Sequence, residues 1–277
     1  MVESRDTPPS KRANMPSTGF QFTERDAEIV NYVYQLRVAT LDHLAALTNR
    51  SYKTLERRVP KLRDERYLRR LKPRPHKGLY VIGSESVPVL IKGGYAPDEF
   101  AERRRRENEW KDLTIPHALL VATIHSKLLI LSRRSPIKLT LWQHEDASLQ
   151  DTVQTASDGK LPIRPDVYFV LHHTGRPAGR TMEHFFLEAD TGTMSHTRIA
   201  LKIKAYAAYH QQQRHVAKFG MSYFQVAIIT NTRARAENLK AELHQGMSSG
   251  QQRAYRFIPL EDLTLDALLA GFDKPTR

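Results

Sequence analysis

The chain has 277 residues, 40% of them hydrophobic, with a formal net charge of +13 and no cysteine. This length allows two modest domains, and the lack of cysteine excludes disulfides and cysteine-ligated zinc. The positive charge favours an anionic polymer as partner, nucleic acid before an acidic membrane surface. No apolar run reaches the roughly 20 residues of a membrane span, and residues 1–20 lack the apolar stretch of a signal peptide. We therefore expect a cytoplasmic protein with no membrane contact and a disordered tail over residues 1–20.

Residues 21–96 have the pattern of a winged helix-turn-helix, a DNA-binding domain of three helices followed by a hairpin. Each predicted helix is preceded by a hydroxyl residue of the kind that caps helix N-termini, namely Thr23, Thr40 and Ser51. The third helix is predicted over residues 52–65, and extended runs at 67–68 and 79–82 flank a Pro-, Lys- and Arg-rich wing. In such domains the third helix enters the major groove of DNA.

Basic side chains dominate this third helix and the wing. Lys53, Arg57 and Lys61 recur every four residues and would form one exposed stripe. Such a stripe neutralises phosphates and gives salt-dependent affinity. The residues expected to contact double-stranded DNA are Tyr52, Lys53, Thr54, Arg57, Arg58, Lys61, Arg69, Lys72, Arg74 and Lys77. The alternative is a solvated basic face on a winged helix that binds another protein.

Residues 97–114 are almost wholly charged and include four arginines at 103–106. We expect a linker there, either a solvated helix or a disordered tether. Residues 115–277 then alternate helical and strand patterns, which predicts an α/β domain with a mixed sheet. Helices are predicted at 115–131, 195–218 and 233–244, strands at 137–142, 167–171, 185–187, 223–230 and 253–258, and a polar loop at 145–159.

Three carboxylates lie at the ends of a predicted hairpin in this second domain. Asp166 opens one strand, and Glu188 and Asp190 close the next. In an antiparallel pair the start of the first strand lies beside the end of the second, and alternate side chains share a face. We expect the three carboxylates to converge and to bind Mg²⁺ together with substrate phosphates. The alternative is that these acids cap the turn and the helix that follow.

The sequence Pro165-Asp166 followed by Glu188-Ala189-Asp190 resembles the motif of PD-(D/E)XK nucleases. The resemblance implies a nuclease-like fold in which the acids bind Mg²⁺ and a lysine orients the attacking water. Asp190 stands where those nucleases carry the lysine, which Lys202 or Lys204 on the following helix would supply instead. The implied catalytic set is Asp166, Glu188, Asp190 and Lys202. Replacing Asp190 with Lys should then restore the commoner motif without reducing cutting.

Both domains together resemble the replication-relaxation family of plasmid and mobile-element proteins. The positions that carry this resemblance are Pro165, Asp166, Glu188, Asp190, Thr191, Arg198, Lys202 and Tyr206, joined by His117. It implies a role in plasmid replication, copy control or DNA relaxation, with plasmid replication or relaxation proteins as partners and a homodimer as one arrangement. We interpret the chain first as a DNA-binding protein whose nuclease-like domain is a binding platform. The alternative is an active Mg²⁺-dependent DNA endonuclease, a nickase.

Overall fold

The computed structural model describes residues 19–71, 78–96, 114–144, 147–176, 181–244 and 247–270. The predictions for the N-terminal tail, for the wing residues Lys72, Arg74 and Lys77, and for the charged linker over 97–113 lie outside these ranges.

The first part of the chain folds as three helices, a two-stranded antiparallel hairpin and a further helix. These are α1 (Glu24–Leu36), α2 (Leu41–Thr48), α3 (Tyr52–Asp64), β1 (Leu68–Leu71), β2 (Leu79–Ile82) and α4 (Ser86–Lys92). The predicted caps are present: Thr40 and Ser51 accept hydrogen bonds from the third residue of their helices, each at 3.2 Å. Ala39 forms a β-bridge with Tyr80, so the segment between α1 and α2 is tied to the hairpin.

The second part of the chain contains helices and strands in alternation. In chain order they are α5 (Ile115–Arg133), β3 (Ile137–His144), β4 (Asp151–Thr155), β5 (Gly159–Ile163), β6 (Val167–His173), β7 (Met182–Asp190), α6 (His196–Gln211), α7 (Arg214–Phe219), β8 (Gln225–Thr230), α8 (Arg233–His244), α9 (Ser249–Gln252), β9 (Tyr255–Pro259) and α10 (Leu265–Leu269).

A five-stranded mixed sheet forms the centre of this part, in the order β3-β6-β7-β8-β9. The β3–β6 and β6–β7 pairs are antiparallel, and the β7–β8 and β8–β9 pairs are parallel. Because a parallel connection needs a crossover, α6 and α8 lie between the parallel strands along the chain. Helices cover both faces, with one hydrophobic cluster around α6 and another around α5. The predicted α/β fold class with a mixed sheet is confirmed.

Helix α5 belongs to both parts of the molecule. Its residues Ile115 and Ala122 are buried in the cluster formed by α1 to α4, while Leu120, Ile124 and Leu128 are buried against the sheet. A helix that is apolar on most sides is buried on most sides. The sequence pattern predicts residues 97–114 as the connection between two domains, whereas the packing of α5 joins them directly.

Polar contacts strengthen this junction between the two parts. The His43 imidazole on α2 lies 3.1 Å from the Thr123 hydroxyl on α5. Arg133, at the end of α5, donates to the carbonyl oxygens of Ala46, at 3.4 Å, and Leu47 at the end of α2. Helix α5 therefore holds the helix that immediately precedes α3.

Among the described residues, α5 alone is long and apolar enough to be a candidate membrane span. Half of its most apolar stretch is buried inside the fold. Its position between two hydrophobic clusters is that of a core helix.

Two elements differ from the sequence prediction. The predicted loop at 145–159 contains β4 and leads into a hairpin, in which Val153, Leu161 and Ile163 are the buried apolar residues. Such sparse alternation gives little signal in a polar segment. The long helix predicted at 195–218 is interrupted at Gln213, which has φ of 52° in the left-handed region. The interruption lets α7 return over the hairpin, where Arg214 pairs with Asp151 at 2.5 Å.

Candidate acidic site and nucleic-acid interface

The register of the β6–β7 pair places Asp166 beside Glu188. Val167 is paired with Leu187, and the Asp166 backbone N–H donates to the Leu187 carbonyl at 3.0 Å. The Asp166 carboxylate in turn accepts a 2.7 Å hydrogen bond from the backbone N–H of Ala189. Asp166 is thus fixed against both peptide groups that flank Glu188, one through its backbone N–H and the other through its carboxylate.

Glu188 is buried and bonded to two side chains of α6. Its Oε1 accepts a hydrogen bond from the Tyr206 hydroxyl at 2.6 Å, and its Oε2 pairs with the Lys202 ammonium group. Lys202 and Tyr206 are four residues apart, so they share one face of the helix. Burial raises the pKa of Glu188 to about 7, with Lys202 opposing the rise and the Asp166 charge adding to it.

His117 contributes a fifth side chain from the first turn of α5. Its Nε2 lies 3.2 Å from Asp166 Oδ1, and its side chain is 41% exposed. The hydrogen bond to Asp166 raises the pKa of the imidazole, although burial opposes the rise. The sequence associates His117 with the family positions but leaves it out of the catalytic set, because nothing local links residues 117 and 166.

Asp190 lies on the same face of β7 as Glu188 but has a different set of partners. The Arg235 Nε on α8 donates to Asp190 Oδ2 at 2.7 Å, and the Gly192 backbone N–H donates to Oδ1 at 3.0 Å. The same guanidinium donates to the Met194 carbonyl at 2.6 Å. Asp190 is 4% exposed. The pair therefore fixes the turn between β7 and α6, and Arg235 is a residue that sequence reasoning missed.

The structure brings together Asp166, Glu188 and Lys202 of the predicted catalytic set. Asp190 lines one small cavity with Glu188 and Lys202, but its carboxylate is paired with Arg235. No group of three or more His, Cys, Asp or Glu side chains placed to hold a metal occurs within the described ranges. Carboxylate oxygens are the donors that Mg²⁺ prefers, and one or two carboxylates with substrate phosphates suffice for it. By donor chemistry Asp166 and Glu188 fit Mg²⁺, whereas the Asp190 carboxylate is already paired with the permanent charge of the Arg235 guanidinium.

The two lysines considered for the missing position have separate surroundings. Lys202 contacts Glu188, while Lys204 lies 3.2 Å from Asp158 in the β4–β5 turn. Arg198, one turn before Lys202, is exposed and forms no side-chain hydrogen bond or ion pair with any described residue. Lys202 is therefore the lysine that the fold presents to the acids.

The predicted stripe on α3 is exposed along its length. Lys53, Arg57 and Lys61 face solvent, and none of them pairs with an acid in the described part of the chain. They line a shallow groove of about 330 Å³ together with Ser51, Thr54 and Arg58. Tyr52, at the first turn, is 48% exposed.

Arg58 differs from its neighbours on this helix. Its guanidinium bonds Asp26 at the start of α1, with Nε 2.7 Å from Oδ1, and it also donates to the Gln21 carbonyl at 2.6 Å. Asp26 is buried, and although burial opposes it, bonds from Arg58 and Thr23 lower the pKa of this carboxyl. The sequence places Arg58 among the residues expected to contact DNA, but its observed partners tie α3 to α1.

Residues 31–222 match the family model described as Replication-relaxation. The chain belongs to the replication-relaxation family. The match covers more than half of the chain and includes α3, Asp166, Glu188 and Lys202, but it ends before Arg235. Neither a curated protein nor a solved structure matches. Membership associates this replication-relaxation protein with the replication or relaxation of plasmids or mobile elements.

Proposed function

We propose that this replication-relaxation protein binds double-stranded DNA through α3 and acts in plasmid or mobile-element replication, relaxation or their regulation. The observation that carries the proposal is the Lys53, Arg57 and Lys61 stripe, exposed and free of acidic partners within the described residues. The order of three helices and a hairpin, together with the Ala39–Tyr80 bridge, supports the winged-helix interpretation, in which the third helix enters the major groove.

The contrast with other cations supports this proposal. Arg50 pairs with Glu28 at 2.5 Å, and Arg58 pairs with Asp26. Cations in ion pairs are partly neutralised, while the unpaired stripe keeps its charge for an anionic partner. Neutralising a phosphate releases a counterion, so binding through such a stripe weakens as salt rises.

The test compares two triple variants of the full chain that lose the same charge. One carries Lys53→Ala, Arg57→Ala and Lys61→Ala, and the other carries Arg134→Ala, Lys160→Ala and Lys240→Ala, three exposed cations away from α3. Affinity for a duplex oligonucleotide is measured over a range of salt concentrations. The stripe variant should lose affinity and show a log–log salt slope smaller by about 0.9 for each phosphate that it no longer neutralises. Equal losses in both variants would refute a specific role for α3.

A second candidate function is a Mg²⁺-dependent endonuclease, favoured by the grouping of Asp166, Glu188 and Lys202. Asp166 and Glu188 would hold the Mg²⁺, which when bound would polarise a phosphoryl oxygen and lower the pKa of a bound water. Lys202 would supply a positive charge beside the phosphate, and His117 would hold Asp166 in place. The pairing of Asp190 with Arg235 leaves that residue out of this set.

Nicking of supercoiled plasmid with Mg²⁺ or Mn²⁺ tests this candidate. Asp166→Ala and Glu188→Ala should abolish nicking and leave metal-free duplex binding nearly unchanged. Asp158→Ala, which removes an acid paired with Lys204 instead, is the matched control and should nick as the wild type does. Nicking that persists in both site variants would mean that the activity arises elsewhere.

A further inference from the structure

The Asp166–Glu188 pair already has cationic partners from its own chain. Both Glu188 oxygens are engaged by α6, Oε1 by Tyr206 and Oε2 by Lys202. Asp166 is engaged by His117 and by the Ala189 backbone N–H. A divalent cation that binds here must therefore replace, or sit beside, an ammonium group that holds a buried carboxylate.

We propose that Lys202 is an internal competitor that keeps divalent cations out of the Asp166–Glu188 pair until a phosphate draws its ammonium group away. The inference rests on the second candidate function, since it concerns the same carboxylates. It adds a regulation of that site, in which cation binding depends on the position of one lysine side chain.

The geometry favours Lys202 as a movable group. Its side chain is 30% exposed, while the Glu188 side chain is 9% exposed, so the ammonium lies at the solvent side of the pair. A lysine carries a compact charge on a flexible four-carbon stem. An arriving DNA phosphate offers that charge a second anionic partner. The Tyr206 hydroxyl, by contrast, is a neutral donor and does not repel a cation.

The charge of the Lys202 ammonium group should weaken the binding of a divalent cation at this pair. An ammonium group beside a dication is repelled, and this repulsion is weakly screened where the carboxylate is buried. Removing the ammonium takes away this repulsion and leaves the Oε2 side of Glu188 open to a cation. Coupling between two binding events typically changes affinity by about 5- to 150-fold, and by analogy we expect an effect on the order of tenfold.

The test measures Mn²⁺ binding to the full chain in the absence of DNA, with free Mn²⁺ followed by electron paramagnetic resonance. Lys202→Met should bind Mn²⁺ about tenfold more tightly than the wild type. Lys204→Met is the matched control, because Lys204 is on the same helix but pairs with Asp158 at 3.2 Å. It should bind as the wild type does, and adding Glu188→Gln to Lys202→Met should remove the gain.

Three results would overturn the inference, and they differ in whether the proposed cation site also fails. In the first, Lys202→Met binds Mn²⁺ no more tightly than the wild type, while Glu188→Gln loses Mn²⁺ binding. This result would refute competition by Lys202 but support a cation site at Glu188. If Lys204→Met also bound Mn²⁺ more tightly, the gain in affinity would come from the lower net positive charge of the protein and not from the position of Lys202. Absence of Mn²⁺ binding in every variant would remove the cation site too. DNA binding through α3 is measured without metal, so none of these results alters it.

Discussion

Asp190, at the end of β7, is held by Arg235 of α8, with Nε and Oδ2 2.7 Å apart across 45 residues of chain. From the sequence, Asp190 stands in for a nuclease lysine, and Asp190→Lys is expected to restore a familiar motif. In the folded chain that substitution would place an ammonium group against a largely buried guanidinium, whose side chain is 16% exposed. On this geometry we expect the variant to lose stability, a cost that the motif alone does not indicate.

We predict that Asp190→Lys destabilises the protein by about 3–5 kcal/mol, because breaking a buried ion pair leaves an uncompensated charge. The measurement is the denaturant midpoint and slope of the purified variant. Asp190→Asn is the control, since the amide keeps an oxygen that can accept a hydrogen bond, and it should lose less. An unchanged midpoint for Asp190→Lys would show that Arg235 finds another partner.

Arg57 and Arg58 are adjacent in sequence but should respond differently to alanine. Arg57→Ala should leave stability nearly unchanged and cost on the order of 1–3 kcal/mol of DNA binding if the side chain reads a base. Arg58→Ala should destabilise the fold by about 3–5 kcal/mol, because it leaves Asp26 buried without its counter-charge. Thermal unfolding and duplex binding of both variants separate the two roles. Equal stability of the two variants would contradict the structural role of Arg58.

His117 should titrate above the ordinary value of 6.5, because its hydrogen bond to Asp166 stabilises the imidazolium form. Substituting Asp166→Asn removes the charge and should lower the pKa of His117. Nuclear magnetic resonance of the ring protons across a pH titration measures both values. The control is Asp158→Asn, which removes a distant carboxylate and should leave the His117 titration where it is.

Glu188 should make stability fall as pH rises through the weakly acidic range. Its pKa rises from 4.5 to about 7 on folding, chiefly through burial. A carboxyl with a higher pKa in the folded state contributes stability that is present below pH 4.5 and lost by about pH 7. Glu188→Gln lacks this titration. Its unfolding free energy relative to the wild type should therefore increase by on the order of 2–3 kcal/mol over that range.

Denaturant unfolding of both proteins at several pH values measures this difference. A constant difference across the range would show that Glu188 stays ionised in the folded protein, with Lys202 holding its charge. The Tyr206 hydrogen bond to Glu188 survives in the glutamine variant, because the amide oxygen can accept it.

The sequence by itself determined the local elements and their surfaces. The capping roles of Thr40 and Ser51, the apolar spacing of α1 to α3 and the exposed stripe of α3 all depend on residues within a few positions of one another. The adjacency of Asp166 and Glu188 also followed, because antiparallel pairing of two consecutive strands brings these ends together. Because these patterns depend on residues that are close together in sequence, they can be predicted without knowledge of the tertiary structure.

Only the tertiary structure decided which charges meet. Arg58 is bonded to Asp26, 32 residues away, and Arg235 is bonded to Asp190, 45 residues away. The residues next to each arginine in the sequence do not distinguish it from an exposed cation. The packing of helices and strands determines which acid it meets. The sharing of α5 between two hydrophobic clusters has the same origin, since a helix that is apolar all round does not specify what covers each side.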